Sequence, residues 1–143
     1  MRLAVIDGQG GGIGSTVIKK VVEVYRHRLE IWALGTNAIA TAQMMKAGAN
    51  RGASGENAIR QSVSQVDVIA GPVSILLAHS MMGEVTPVMV EAIGSASALK
   101  MILPITQDPI LVVGTAREPL PHLVDKLVFH HLALLLDGEE HNP

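Results

Sequence analysis

Short continuous apolar runs alternate along this chain with stretches in which apolar residues recur every three or four positions. The first pattern marks strands covered on both faces and the second marks amphipathic helices. Residues 3–6, Leu-Ala-Val-Ile, form the first run, and glycines follow it at once. From Ser15 onward Val17, Ile18, Val21, Val22 and Tyr25 fall on one helical face, opposite Lys19, Lys20 and Glu23. Residues 31–34 repeat the buried-strand pattern and stop at Gly35-Thr36-Asn37. Residues 38–46 then read as a helix capped by Asn37 and ended near Gly48.

The small, polar stretch 49–55 has no clear period, and a strand over 49–53 stays open. A short helix over 56–61 and a strong strand over 66–70 follow. Thr86-Pro87 starts a helix over 88–93 that runs to Gly94, because threonine can accept an orphan N–H and proline fits the first helical position. Residues 101–105 and 110–113 read as two more strands, with Pro104 at the end or edge of the first. Residues 121–136 read as an amphipathic helix, with Leu120, Leu123, Val124, Leu127, Val128, Leu132 and Leu135 as an apolar stripe facing the core. A single domain over 1–137 and a flexible tail over 138–143 are expected. Strands alternating with helices imply right-handed crossovers and a three-layer, Rossmann-like α/β fold: a mostly parallel sheet with helices on both faces. Strand order 3-2-1-4-5 is the first choice and a flavodoxin-like order the second.

The first strand runs into Asp7-Gly8-Gln9-Gly10-Gly11-Gly12-Ile13-Gly14. A helix N-terminus presents unpaired N–H groups and partial positive charge, and glycines before it let a phosphate approach the backbone. The common dinucleotide spacing G-x-G-x-x-G would need a glycine at Ile13. The spacing present, G-x-x-x-G-x-G at Gly8, Gly12 and Gly14, resembles the cofactor loop of short-chain dehydrogenases/reductases. That family's Tyr-x-x-x-Lys is not matched, since Tyr25 lies on the first helix and Leu29 follows it four positions on. Gly14-Ser15-Thr16 lacks the lysine of a nucleoside-triphosphatase P-loop. Asp7 would repel a pyrophosphate unless it faced a ribose hydroxyl or a metal ion. An acid for the ribose is expected about 20 residues past the loop, but Gly35-Thr36-Asn37 stands there. NADP or a mononucleotide suffers less from this than NAD.

Composition narrows the partners. Of 143 residues 48% are hydrophobic and 17% charged, so some apolar surface is expected to face another subunit of a homo-oligomer. Tyr25, Trp32 and Phe129 are the only aromatics and the net charge is −2, which leaves no stacking platform or basic field for nucleic acid. The chain has no cysteine, which suits a cytoplasmic setting. It has neither the apolar region of a signal peptide nor a run of about 20 apolar residues for a membrane span.

With a parallel sheet, the ends of successive strands bring Asp7, the glycine loop, Thr36, Asn37, Glu56, Asn57, Gly71 and Pro72 to one rim. These residues, with Gly8 to Gly14, are the candidate seat for a nucleotide or NAD(P)-like dinucleotide, or another small phosphorylated ligand. Asp7 and Glu84 are the candidates for acid–base chemistry, with His79 and Ser80 beside Glu84. His122, His130 and His131 lack metal-ligand spacing, and no metal is expected. An enzyme, a non-catalytic sensor of a phosphorylated metabolite and an assembly protein with a purely structural glycine turn all stay open.

Taken whole, the chain resembles a small uncharacterised family of clostridial-type bacterial proteins, a domain of unknown function of about this length. The likeness rests on residues 4–14, on Leu34-Gly35-Thr36-Asn37-Ala38-Ile39-Ala40-Thr41-Ala42, on Gly52-Ala53-Ser54-Gly55-Glu56-Asn57-Ala58-Ile59 and on Gly83-Glu84-Val85-Thr86-Pro87. It implies no established activity.

Overall fold

A computed structural model describes residues 1–141. Five parallel strands form one sheet in the order β3-β2-β1-β4-β5, as the alternation of elements predicts. They are β1 (Arg2–Asp7), β2 (Glu30–Gly35), β3 (Arg51–Ser54), β4 (Val68–Pro72) and β5 (Leu99–Leu103). The register is direct in the centre, where Val5 lies beside Ala33 on one side and Ala70 on the other.

Alternation along the central strands sorts side chains into two cores. Leu3, Val5, Ile31, Ala33, Val68 and Ala70 face α1 (Gly12–Tyr25), together with Met44 of α2 (Ala38–Lys46) and the C-terminal helix. Ala4, Ile6, Trp32, Leu34 and Ile69 face α3 (Glu56–Ser62) and α4 (Pro87–Ser95) through Ile59, Met89 and Ile93. The protein is thus a Rossmann-like α/β fold with helices on both faces. Both expected caps form: Asn37 Oδ1 accepts from Ala40 N at 2.8 Å and Thr86 Oγ1 from Met89 N at 3.2 Å. The open stretch over 49–53 overlaps β3, a polar edge strand that starts at Arg51 and runs to Ser54.

Two expectations change. Residues 110–113 are not a strand but part of an irregular segment between β5 and α5 (Leu120–Asp125). β5 already ends the sheet, and Leu111 and Val113 are 86% and 90% exposed. The C-terminal helix is not uniform either. After α5 it widens into π-helical turns over Lys126–Leu132 before returning to α6 (Ala133–Asp137).

Inside the widened stretch the Val128 carbonyl accepts a 2.6 Å bond from Tyr25 Oη, and burial pushes the Tyr25 hydroxyl pKa up. Tyr25→Phe removes that donor and is expected to cost about 1 kcal/mol, or roughly 2–4 °C in a thermal melt, at unchanged secondary structure. Of the expected tail, His141 folds back: its N–H donates to Phe129 O at 2.8 Å and its Nε2 lies 2.7 Å from Asp137 Oδ2. Asn142 and Pro143 lie outside the described residues. Among the described residues no helix is long and apolar enough to cross a membrane.

Candidate functional site

β1 delivers Asp7 to the carboxyl-terminal rim of the sheet, and the glycine loop turns there into α1. Gly11 N donates to Gly8 O at 2.9 Å to close the turn. Gly11 takes φ +71°, and a Cβ there would lie 2.9 Å from the Ala40 carbonyl oxygen of α2, so both conformation and space demand glycine.

Asp7 is only 3% exposed, and it caps its own following helix. Its Oδ1 accepts from Gly8 N at 2.8 Å and its Oδ2 from Gly14 N at 2.7 Å. Burial raises its pKa above the ordinary carboxylate value, opposed by the amides of Gly14, Gly8 and Ile13; the charge of Glu84 adds to the rise. The carboxylate thus fills part of the anion seat that the loop's spacing suggested. Gln9 N is taken as well, by Glu84 Oε1 at 2.8 Å. The exposed amides of Gly10 and Gly12 have no acceptor among the described residues.

Glu84 comes from the loop between β4 and α4, far along the chain. Its Oε1 accepts from Thr36 Oγ1 at 2.6 Å and from Asn37 Nδ2 at 2.8 Å in addition to Gln9 N. Asn37 Nδ2 also donates to Gln9 O at 3.0 Å, which ties the end of β2 to the glycine loop. Burial alone would raise the Glu84 pKa, but the bonds from Thr36, Gln9 and Asn37 together bring it below the ordinary value. Glu84 is therefore an ionised acceptor at neutral pH. The loop that carries it holds His79, Met81 and Met82 at φ between 55° and 68°, a conformation costly for side chains that have a Cβ.

On the other side of the glycine loop lies a cleft of about 390 Å³. Asp7, Gln9 and Ile13 form one wall, Pro72 and Ser74 the floor at the end of β4, and Met81 and Met82 another side. The remaining wall is Ile105, Thr106, Gln107 and Asp108, in which Ser74 Oγ donates to Thr106 Oγ1 at 2.9 Å and Thr106 Oγ1 to Asp108 Oδ2 at 2.9 Å. The cleft sits where the chain reverses its direction of travel across the sheet, between β1 and β4. Open α/β sheets bind ligands at such a point. Among the described residues no lysine or arginine lines it.

The rim does bring together much of what the sequence proposed. Asp7, Gln9, Ile13 and Pro72 line the cleft, and Thr36, Asn37 and Glu84 gather beside the loop. Glu56 instead accepts from Thr86 Oγ1 at 2.7 Å, and Asn57 is an exposed residue of α3; neither lines the cleft. Gly71 is a packing glycine, since a Cβ there would lie 2.5 Å from Ile6 O. The wall over 105–108 was missed. Its signal is modest: a polar Thr-Gln-Asp triplet just after a strand, at the rim where strand ends converge.

The fold and rim define a small α/β domain with a switch-point cleft beside a glycine loop. The chain belongs to the family described as Domain of unknown function (DUF3842), whose model matches residues 2–135. No curated protein matches the sequence significantly. Among solved structures, the chain is similar to a dodecameric FMN-dependent Ubix-like decarboxylase from Escherichia coli O157:H7. The TM-score is 0.48 and the identity 14%, over 99% of this chain and 96% of that one.

Proposed function

We propose that the protein binds a nucleotide, of dinucleotide type, across the start of α1. The observation that carries this is the pair of acceptor-free amides, Gly10 and Gly12, flanked by the 390 Å³ cleft on the β4 side and by the polar Glu84 cluster on the β2 side. A phosphate accepting from these amides draws on the partial positive charge of the helix start. A cleft of this volume is within the ordinary range for small-ligand sites. Its acidic wall, Asp7 and Asp108 with no basic partner, suits a neutral or cationic ring better than a phosphate, so the phosphate belongs at the amides. Gly8, Gly11 and Gly14 serve the turn and its packing; Gly10 and Gly12 are the glycines left to meet a ligand. Self-association belongs to the same reading, with Leu111 and Val113 as exposed apolar surface.

A melting-temperature screen with NAD, NADP, ATP, FMN and coenzyme A tests the reading. A ligand at a hundredfold excess over its Kd stabilises by about 2.7 kcal/mol, roughly 5–10 °C for a chain of this size. Gly12→Asp sharpens the test. A Cβ at Gly12 meets nothing within 4 Å, and an acid in the first turn favours the helix, so the variant is expected to melt no lower than the parent. Its carboxylate would cover the two amides and abolish the ligand-induced shift. No shift from any phosphorylated ligand on the unaltered protein, or an undiminished shift in Gly12→Asp, defeats the proposal.

A further inference from the structure

An ionised carboxylate has two oxygens and only accepts hydrogen bonds. Glu84 directs all of its protein contacts to one of them. Oε1 receives Gln9 N, Thr36 Oγ1 and Asn37 Nδ2, donors from the glycine loop and the end of β2. Among the described residues Oε2 has no protein partner, and it is not sealed from solvent. Three donors on one oxygen fix the carboxylate, and that fixes where the free oxygen points. The side chain so held stands at the end of β2, beside the acceptor-free amides of Gly10 and Gly12.

An open α/β sheet that binds a dinucleotide commonly places an acid at the end of its second strand, where the acid accepts from the ribose hydroxyls. This chain has Gly35-Thr36-Asn37 at that place, with no acid in the strand itself. The acid arrives from 48 residues beyond Thr36, carried by the loop before α4 and tied down by the very residues that occupy the strand end. Resting on the nucleotide reading above, we infer that Glu84 is the ribose-hydroxyl acceptor of the site and that its charge makes the site select a ribose without a 2′-phosphate. A diol can donate to Oε2. A phosphate at the same place would meet an unneutralised negative charge, since no lysine or arginine bonds Glu84. This reverses the preference for NADP drawn from the strand end alone.

The test is calorimetric titration of the full chain with NAD and NADP, with ADP-ribose and its 2′-phosphate as smaller probes. The unphosphorylated member of each pair is expected to bind about ten- to a hundredfold tighter. Glu84→Gln retains an oxygen for Gln9, Thr36 and Asn37 but turns Oε2 into a donor and removes the charge. It is expected to melt within a few degrees of the parent, to bind NAD more weakly and to bring the NAD:NADP ratio close to one. Equal binding of NAD and NADP by the unaltered protein overturns the inference, and so does a Glu84→Gln variant that keeps the parent ratio. If Glu84→Gln fails to fold, the two ratios on the unaltered protein decide. Binding of FMN or another phosphorylated ligand without any adenine dinucleotide overturns the role of Glu84 while sparing the phosphate seat. Absence of any nucleotide binding overturns both.

Discussion

Gly71→Ala is expected to lower the melting temperature by about 6–12 °C, corresponding to about 3 kcal/mol of overpacking in a domain of this size. The added methyl would sit 2.5 Å from the Ile6 carbonyl oxygen and 2.9 Å from Ile75 Cδ1. The side chain could rotate away, but the oxygen belongs to β1, next to the β1–β4 ladder of Leu3, Ala4 and Val5 with Val68, Ile69 and Ala70. Relief therefore requires the central strands to part. Urea denaturation, with Gly12→Ala as a control at an open position, checks this: the control is expected to match or exceed the parent. A Gly71→Ala protein as stable as the parent would show that β1 and β4 yield where the packing says they cannot.

A second large effect concerns Asp7. Because burial raises its pKa in the folded protein, the folded state holds the proton more tightly than the unfolded chain, whose reference value is 3.8. Below that value Asp7 is protonated in both states and its contribution is fully present. As pH rises the unfolded chain releases its proton first, and stability falls until the folded group ionises too, by at most about 1.4 kcal/mol per pH unit. Asp7→Asn cannot ionise, but its NH2 group would face one of the two backbone N–H groups that Asp7 now accepts, from Gly8 or Gly14, and leave it unpaired. It is expected to be less stable than the parent near pH 3.5, with the deficit narrowing as pH rises toward 7. Urea midpoints of both proteins across this range give the answer, and a parent that gains on Asp7→Asn with rising pH contradicts it.

The glycine loop and both side-chain helix caps were legible because each is a local device. Asn37 and Thr86-Pro87 act on amides within three residues, and the loop joins a strand to the helix that follows it. β3 was not legible, because Arg51, Gly52 and Ser54 face solvent at the sheet edge and no buried face imposes a period. The apolar residues 110–113 read as a strand by type alone, yet the sheet ends at β5 and offers them no partner within the chain. The candidate site was half legible. Its loop follows from spacing, but Asp7 occupying Gly14 N and Glu84 reaching Gln9, 75 residues away, depend on how the finished chain brings distant segments together. The Asp7 carboxyl group, an obstacle to a phosphate by sequence alone, is the acceptor that Gly8 N and Gly14 N already use.

The C-terminal helix has a consequence for the order in which the molecule is made. Leu123, Val124, Leu127, Val128 and Leu132 pack in the same core as Leu3 and Val5, so one face of the sheet is closed by the last elements of the chain. Domains emerge from the ribosome amino-terminal end first. A nascent chain that has completed all five strands has α1 and α2 on that face but leaves the part beside them open to water until α5 and the helical turns after it are released. Premature termination after β5 would strand the product in that condition.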